Sequence, residues 1–246
     1  MSFFSTLQFN PINWILPSRC PLCGMVVVKD HQFCLSCWQK LNFISPPWCA
    51  SCGLPFAFER ATGAICAKCL ASPPDHDGVR AAVVYNDDSS RIAMGLKYSS
   101  KLGFAALIAN HLEKYLSEFD DEAILLPVPL HRKRLWGRGF NQSVLIASAL
   151  SVRSGLVQKN NILVRHLATP PLRSMAINER QKLLARAISI RKKASHQVVN
   201  RTILLIDDVY TTGATSNTCA RILKRAGASK VIVLCWARVV LDAEGV

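Results

Sequence analysis

Two adjacent acids, Asp207 and Asp208, stand between a short apolar run and a loop of hydroxyl-bearing residues and glycine. The apolar run, 203–206, is typical of a buried parallel strand, and open α/β sheets bind ligands at the carboxyl ends of such strands. The loop leads into a run with helical periodicity, so its backbone N–H groups and hydroxyls can surround a phosphate at a helix N-terminus. The predicted phosphate contacts are Thr211, Thr212, Gly213, Ala214 and Thr215. The acids would repel phosphate and suit ribose hydroxyls or Mg²⁺ instead.

The chain has ten cysteines, and eight of them form four C-x-x-C pairs. Two residues between two thiolates allow both to bind one metal ion, and repeated pairs at these intervals are typical of zinc ribbons. The predicted zinc ligands are Cys20, Cys23, Cys34, Cys37, Cys49, Cys52, Cys66 and Cys69. Two structural sites formed by neighbouring pairs are the simplest arrangement, while crossed pairing and redox-active or disulfide-bonded cysteines are the alternatives. Reduced thiolates favour a cytoplasmic location.

The formal net charge of +14 lies entirely in residues 131–201, which contain 15 Lys and Arg side chains and one acid, Glu179. So many cations favour a long polyanion, most simply a nucleic-acid backbone, over the alternative of an ordinary basic surface. Basicity does not distinguish DNA from RNA. Trp136, between cations, suits stacking on single-stranded bases, whereas Phe140 either stacks on a base or, as we favour, packs in the core. The predicted nucleic-acid contacts are Arg132, Lys133, Arg134, Trp136, Arg138, Arg191, Lys192 and Lys193.

Strand-like and helix-like runs alternate after residue 75, which predicts an α/β fold with a parallel, doubly wound sheet. We expect the main strands at 79–85, 123–128, 203–206 and 231–236, a basic loop at 131–138, and Cys219 and Cys235 in the core. The stretch 72–75 is typical of a linker, so the predicted domains are a cysteine-rich region, 1–72, and an α/β domain, 75–246. No apolar run is long enough for an integral membrane span, and no signal peptide is expected.

The stretch that ends in the acid pair and its loop, 201–215, resembles the phosphoribosyl pyrophosphate (PRPP) signature of type I phosphoribosyltransferases. The resemblance implies a phosphoribosyltransferase-like domain in which Asp207 and Asp208 bind the ribose 2′- and 3′-hydroxyls, the loop binds the 5-phosphate, and Mg²⁺ accompanies PRPP. It also implies a flexible catalytic loop in segment 165–180. The implied pyrophosphate-binding loop is formed by Pro127, Val128, Pro129 and Leu130.

Four features occur in the order found in the ComF family of competence proteins, which includes the GntX-type DNA-utilisation proteins. These features are the cysteine pairs, the stretch 96–98, the block 127–142 and the PRPP signature. The resemblance covers nearly the whole chain. It implies a cytoplasmic protein that handles single-stranded DNA during DNA uptake and natural transformation, binds PRPP, and has helicase or recombination proteins as partners.

Two other functions stay open at this point. One is a Mg²⁺-dependent phosphoribosyltransferase that acts on an unknown base or amine, and the other is a regulator that senses PRPP. The chain carries Leu172 and Leu183 where members of the family usually carry Gln and Asn, and it retains the pair Glu179-Arg180. Because two polar groups are missing from the flexible-loop region, no catalytic residue is assigned.

Overall fold

A computed structural model describes residues 17–98, 102–167, 183–184 and 186–240. Two short helices lie in the cysteine region, α1 (Leu35–Trp38) and α2 (Ala67–Ala71). The strands are β1 (Gly78–Val84), β2 (Ile124–Pro127), β3 (Val157–Gln158), β4 (Leu163–Arg165), β5 (Ile188–Ile190), β6 (Thr202–Tyr210) and β7 (Lys230–Arg238). The longer helices are α3 (Asp87–Tyr98), α4 (Leu102–Leu112), α5 (Arg132–Arg138), α6 (Gln142–Ser154) and α7 (Ala214–Arg225), and 3₁₀ segments lie at Glu113–Glu118 and Lys192–Val198.

Five strands form one parallel sheet in the order β1-β7-β6-β2-β3, which confirms the predicted fold class. The strands β4 and β5 pair separately as an antiparallel hairpin. The chain moves outward in opposite directions from the two neighbours β2 and β6, since β3 lies beyond β2 and β7 lies beyond β6. Such a reversal opens a crevice at the carboxyl ends of the two strands, which is where doubly wound sheets bind ligands.

The sheet is covered on both faces, as the apolar run in β6 requires. Leu204 and Ile206 pack in one layer with α4 and α6, whereas Ile203 and Leu205 pack in the other layer with α7. The alternation follows from the two-residue period of a strand. No helix in the described ranges is long and apolar enough to cross a membrane.

Part of the cysteine region covers the outer edge of the sheet. The Ile44 N–H donates to the Ala82 carbonyl at 2.9 Å, and the Val84 N–H donates to the Asn42 carbonyl at 2.8 Å. These bonds satisfy backbone groups of β1 that would otherwise form an open sheet edge. The region thus packs directly on the α/β part, and the division into 1–72 and 75–246 stays a prediction.

The basic segment 131–138, predicted as a loop, is largely the helix α5, so that prediction was wrong. Its start is capped by His131, whose Nδ1 accepts from the Lys133 N–H at 3.1 Å. The other ring nitrogen, Nε2, donates to the His166 carbonyl at 3.1 Å. Gly139 ends the helix in the left-handed conformation at φ +80°. Both ends are therefore fixed, although histidine is not among the preferred N-cap residues.

The strand β6 is longer than predicted and runs through Tyr210 instead of ending at Ile206. Its extra length follows from β7, which continues to Arg238 and pairs with Tyr210 there. The acid pair therefore lies inside the end of the strand rather than after it. Cys219 and Cys235 are fully buried, as expected.

Candidate functional site

A cavity of about 170 Å³, here called the strand-end cavity, lies at the crevice between the carboxyl ends of β2 and β6. It is lined by Lys97, Val128, Pro129, Leu130, Arg134, Arg138, Asn141, Gln142, Ser143, Arg165, Asp207, Asp208 and Thr215. These residues come from the strand ends, α3, α5, α6, α7 and β4. The fold thus brings the predicted acid pair, part of the predicted phosphate loop and three of the four residues of the predicted pyrophosphate loop into one cavity, while Pro127 lines a second cavity beside it.

The acid pair is held by a backbone hydrogen bond and by a lysine. The Asp208 N–H donates to Asp207 Oδ1 at 2.9 Å, and Lys97 Nζ lies 2.5 Å from Asp208 Oδ2. Desolvation at the strand end and the charge of Asp208 raise the pKa of Asp207. Lys97 was not assigned as a site residue, although the stretch 96–98 had been singled out. Two adjacent carboxyls, one already neutralised by lysine, suit a diol or a divalent cation.

The phosphate loop depends on Gly213. This residue has φ +74° and is the N-cap of the 12-residue helix α7. A Cβ atom here would lie 2.3 Å from the Tyr210 hydroxyl oxygen, and that hydroxyl shares a 3.0 Å hydrogen bond with His76 Nε2. Thr215 lines the cavity, whereas Thr211 and Thr212 are exposed. The loop therefore presents hydroxyls and helix N–H groups beside the acid pair.

The pyrophosphate loop is fixed by Asn141, a residue with no role assigned from the sequence. Asn141 Nδ2 donates to the Val128 carbonyl at 3.0 Å, while its Oδ1 accepts from the Ser143 N–H at 3.0 Å and caps α6. The Val128 N–H donates to the Ile206 carbonyl at 2.9 Å. One amide side chain thus joins the start of a helix to the loop, and the loop in turn is bonded to the strand that carries the acids.

Four cations line the cavity against the two acids: Lys97, Arg134, Arg138 and Arg165. Arg165 is only 8% exposed, and burial together with the charge of Arg134 lowers the pKa of its guanidinium. Arginine stays charged under such conditions and binds phosphate oxygens bidentately. The balance of charge therefore favours an anionic ligand with several phosphate groups.

The flexible loop expected in 165–180 lies outside the described residues beyond Leu167, and so do Leu172, Glu179 and Arg180. Leu183 is described and is half-buried.

The predicted nucleic-acid residues do not all share one place. Arg134 and Arg138 line the strand-end cavity, while Arg132 and Arg191 line a second cavity beside it. Trp136 is 88% exposed on α5. Lys133, Lys192 and Lys193 are exposed. Of the predicted cations, Arg132 of α5 and Arg191 before the 3₁₀ segment are brought together at one cavity, and the role of the set in binding nucleic acid stays a prediction.

Two other cations of the basic segment point to partners elsewhere. Arg153 forms an ion pair with Glu113, and Arg201 forms one with Glu122. These contacts lie in the α/β part but involve acids from outside residues 131–201. The linear cluster of charge is thus partly dispersed by folding.

The eight paired cysteines form two clusters, and within each cluster the four Sγ atoms lie within 4.8 Å of one another. The clusters are Cys20, Cys23, Cys34 and Cys37, and Cys49, Cys52, Cys66 and Cys69. Neighbouring pairs have come together, as the simplest arrangement predicts. Four converging thiols of this kind fit tetrahedral zinc with a closed, structural coordination shell.

The backbone around the C-x-x-C pairs supports metal binding. The Gly24 N–H donates to the Cys20 carbonyl at 2.9 Å, and the Gly53 N–H donates to the Cys49 carbonyl at 2.8 Å, with both glycines at positive φ. Hydrogen bonds from the Cys52 thiol and from backbone N–H groups lower the pKa of Cys49 to about 4. A thiolate at this position is the form that binds zinc.

The second cluster is connected to the sheet by Arg238 at the end of β7. Its Nη2 donates to Cys52 Sγ at 3.2 Å, and its Nε donates to the Cys52 carbonyl at 2.8 Å. The same guanidinium lies 6.0 Å from the ring centre of Tyr210, which contacts the phosphate loop. Four thiolates and one Zn²⁺ carry a charge of −2, so a buried arginine beside them offsets part of that charge.

Comparison with known proteins shows what this chain is similar to. A model of the double zinc ribbon domain matches residues 11–70. The chain is 28% identical over 230 residues to competence protein F of Haemophilus influenzae, which covers 89% of this chain and 96% of that protein. It is 29% identical over 231 residues to the DNA utilization protein YhgH of Salmonella typhimurium, with 91% and 98% covered. A hypoxanthine phosphoribosyltransferase from Staphylococcus aureus aligns over 57% of this chain and 65% of its own, at 14% identity and a TM-score of 0.38.

One further relative aligns with this chain over most of the length of both proteins. Competence protein ComFC of Bacillus subtilis is 30% identical over 211 residues, 80% of each chain. A chain that shares this identity over four-fifths of its length, and that matches a double zinc ribbon ahead of a parallel α/β sheet, belongs to the ComF family of competence proteins.

Proposed function

We propose that this protein handles single-stranded DNA during DNA uptake and natural transformation, in the cytoplasm, and that it binds PRPP with Mg²⁺ at the strand-end cavity. One observation carries the proposal: four cations converge on an acid pair at the carboxyl ends of β2 and β6, and the exposed cationic helix α5 starts from the same loop. A small phosphorylated ligand and a long polyanion thus have neighbouring sites.

The cavity residues divide the work of holding PRPP by their chemistry. Asp207 and Asp208 would accept hydrogen bonds from the ribose diol and would offer carboxylate oxygens to Mg²⁺. The loop 211–215 and the N-terminus of α7 would bind the 5-phosphate. Arg134 and Arg138 would bind the pyrophosphate oxygens. Lys97 would release Asp208 as the ligand arrives, since its ammonium occupies the place beside the carboxylate that a cation would take.

The surface of α5 suits single-stranded nucleic acid, and the relatives favour DNA. The helix has Trp136 88% exposed between arginines, and an exposed aromatic ring offers a stacking face to any base. The relatives' printed names, competence protein and DNA utilization protein, favour DNA as the polyanion. Helicase or recombination proteins are the partners that this role would require.

Salt-dependent binding of labelled oligonucleotides tests the proposal. Anisotropy titrations with a thymidine oligonucleotide, its duplex and the matching RNA are compared between about 50 and 200 mM salt. We expect the single strand to bind more tightly than the duplex, with an affinity that falls steeply as salt rises. No binding at low salt, or an affinity indifferent to salt, contradicts the DNA role.

Calorimetric titration with PRPP and Mg²⁺ tests the small-ligand role on the same preparation. We expect saturable binding that requires Mg²⁺. Release of pyrophosphate in the presence of a nucleobase would show a transferase instead of a binder. A DNA affinity that changes when PRPP is added would show a PRPP-sensing regulator.

A further inference from the structure

A second cavity, of about 390 Å³, lies beside the strand-end cavity. The two share Pro129, Leu130, Asn141 and Arg165, so they adjoin across the loop that follows β2. The second cavity is open between α5, the first turns of α6 and the hairpin strand β4. Its volume falls in the range of sites that take a small organic group.

The wall of this cavity is apolar and includes an aromatic ring. Leu135, Phe140, Val144 and Leu145 line it and keep part of their surface exposed. Phe140 was expected in the core, yet it belongs to neither of the two apolar clusters that cover the sheet. Phe140 instead lines this cavity. A flat apolar group can therefore stack there without displacing core residues.

The rim of the cavity is polar and positive. Arg132, Arg165 and Arg191 contribute three cations, and no acid is among the described residues that line the space. Asn160 and Asn161 contribute amides. The amide oxygen of Asn160 accepts from Gln158 Nε2 at 2.6 Å, which leaves its amide nitrogen as the group available to a ligand.

The groups that line this cavity match the parts of a nucleotide. They are an apolar wall with an aromatic ring, two amides and three guanidiniums. The ring stacks on a base, amides bond the edge of a base, and guanidiniums bind phosphates. We propose that the second cavity receives one unpaired base of the DNA strand that lies along α5, with the flanking phosphates on Arg132 and Arg191. This inference rests on the proposed binding of single-stranded DNA.

The test fills the cavity and, separately, removes the base. Val144→Trp places an indole in the space, while Val152→Trp, on the same helix at a side chain that is 88% exposed, is the matched control. Each protein is titrated with a labelled thymidine oligonucleotide and with the same strand carrying abasic positions. For the wild type we expect abasic positions to weaken binding at least about fivefold at an unchanged salt slope.

Val144→Trp should weaken binding of the intact strand to a similar extent and leave binding of the abasic strand unchanged, because both changes remove one contact. Val152→Trp should bind as the wild type does. Unchanged binding of the intact strand by Val144→Trp overturns the proposal, and so do losses that multiply when both changes are combined. Micromolar binding of thymidine monophosphate, with equal affinity for intact and abasic strands, would show a site for free nucleotides instead.

Two further measurements guard against a variant that does not fold. Phe140→Leu keeps an apolar side chain and removes the stacking face, and it should reproduce the loss on the intact strand alone. In the wild type, a 2-aminopurine base in the strand should become protected from acrylamide quenching, and an unprotected base contradicts insertion. A wild type that binds no strand at all refutes the DNA role itself, and the inference falls with it.

Discussion

Gly213 lies where the ring of Tyr210 leaves no room for a side chain. An added Cβ would lie 2.3 Å from the Tyr210 hydroxyl oxygen, and the residue has φ +74°. We therefore expect Gly213→Ala to displace the phosphate loop, to lower stability by about 1–3 kcal/mol and to weaken PRPP binding at least about tenfold. Calorimetry and thermal unfolding measure the two effects.

Gly137→Ala is the matched control, because a Cβ there meets no atom within 4 Å. It should leave PRPP binding unchanged. If Gly213→Ala also binds PRPP normally, the loop does not hold the phosphate.

Asp207 costs the fold stability at neutral pH. Its pKa is raised in the folded state by burial and by the charge of Asp208, so its contribution to stability is fully present below the unfolded pKa and is lost as pH rises through the folded pKa. Asp207→Asn should therefore raise the melting temperature at pH 7 by roughly 2–4 °C for each 1 kcal/mol gained, while it weakens PRPP binding. The gain should shrink as pH falls toward 4.

Asp208→Asn is the matched comparison for that pH series. Asp208 forms the ion pair with Lys97, so its replacement should bring no gain in stability. If the Asp207→Asn variant has the same melting temperature as the wild type at every pH, the pKa of Asp207 is not raised in the folded state.

Residues that are close in sequence were predictable, and residues contributed by distant elements were not. The cysteine pairs and the acid pair are defined by spacing alone, so their grouping could be predicted. Lys97 and Arg165 reach the same cavity from α3 and β4. Only the tertiary fold brings them there, and no role in the site was assigned to either residue from the sequence, although the stretch 96–98 had been singled out.

At the scale of elements, the charge and the aromatic ring of α5 belong to different side chains, so substitutions can test each contribution separately. Trp136→Ala should leave stability unchanged, because the side chain is 88% exposed, and should weaken binding of single-stranded DNA by about 1–3 kcal/mol at the same salt slope. Lys133→Ala should instead reduce the slope of log affinity against log salt by about 0.7.

Val152→Ala, another side chain exposed to 88%, is the control for the loss of apolar surface. It should bind DNA as the wild type does. Equal binding by Trp136→Ala would exclude this helix as a stacking platform.

The long elements were predicted because their apolar pattern dominates the local sequence. The strand 203–206 and its neighbour 231–236 are fully apolar, and both are central strands of the sheet. The helix α5 was missed because its cap is a histidine ring rather than one of the usual cap residues, and because seven residues give little periodicity. The two-residue strand β3 and the short strand β5 are set by tertiary pairing and carry no local signal.

At the scale of the whole molecule, the two cysteine clusters are connected to the sheet in different ways. The second cluster reaches the phosphate loop through Arg238 and Tyr210. The first cluster instead packs in the apolar layer that contains α4 and Trp236 of β7, and Arg91 donates to the Leu22 carbonyl at 3.1 Å beside it. We expect about two zinc ions per chain by elemental analysis. Loss of the second ion should weaken PRPP binding more than loss of the first.

Single substitutions separate the two clusters. Cys66→Ser should reduce zinc content by about one ion per chain and weaken PRPP binding, whereas Cys23→Ser should reduce zinc equally with little effect on PRPP. Both exchange a less buried ligand of their cluster. Equal effects on PRPP would show that the zinc region acts through general stability rather than through Arg238.

The central claim is that one chain holds a PRPP site and a separate site for single-stranded DNA. The most direct measurement compares the wild type with a double variant that carries both Asp207→Asn and Asp208→Asn. Both proteins are titrated in parallel with PRPP–Mg²⁺ and with a labelled thymidine oligonucleotide. We expect the PRPP affinity of the double variant to fall by at least about 100-fold while its DNA affinity stays within about twofold of the wild type. Undiminished PRPP binding, or a parallel loss of DNA binding in a variant that melts like the wild type, would contradict it.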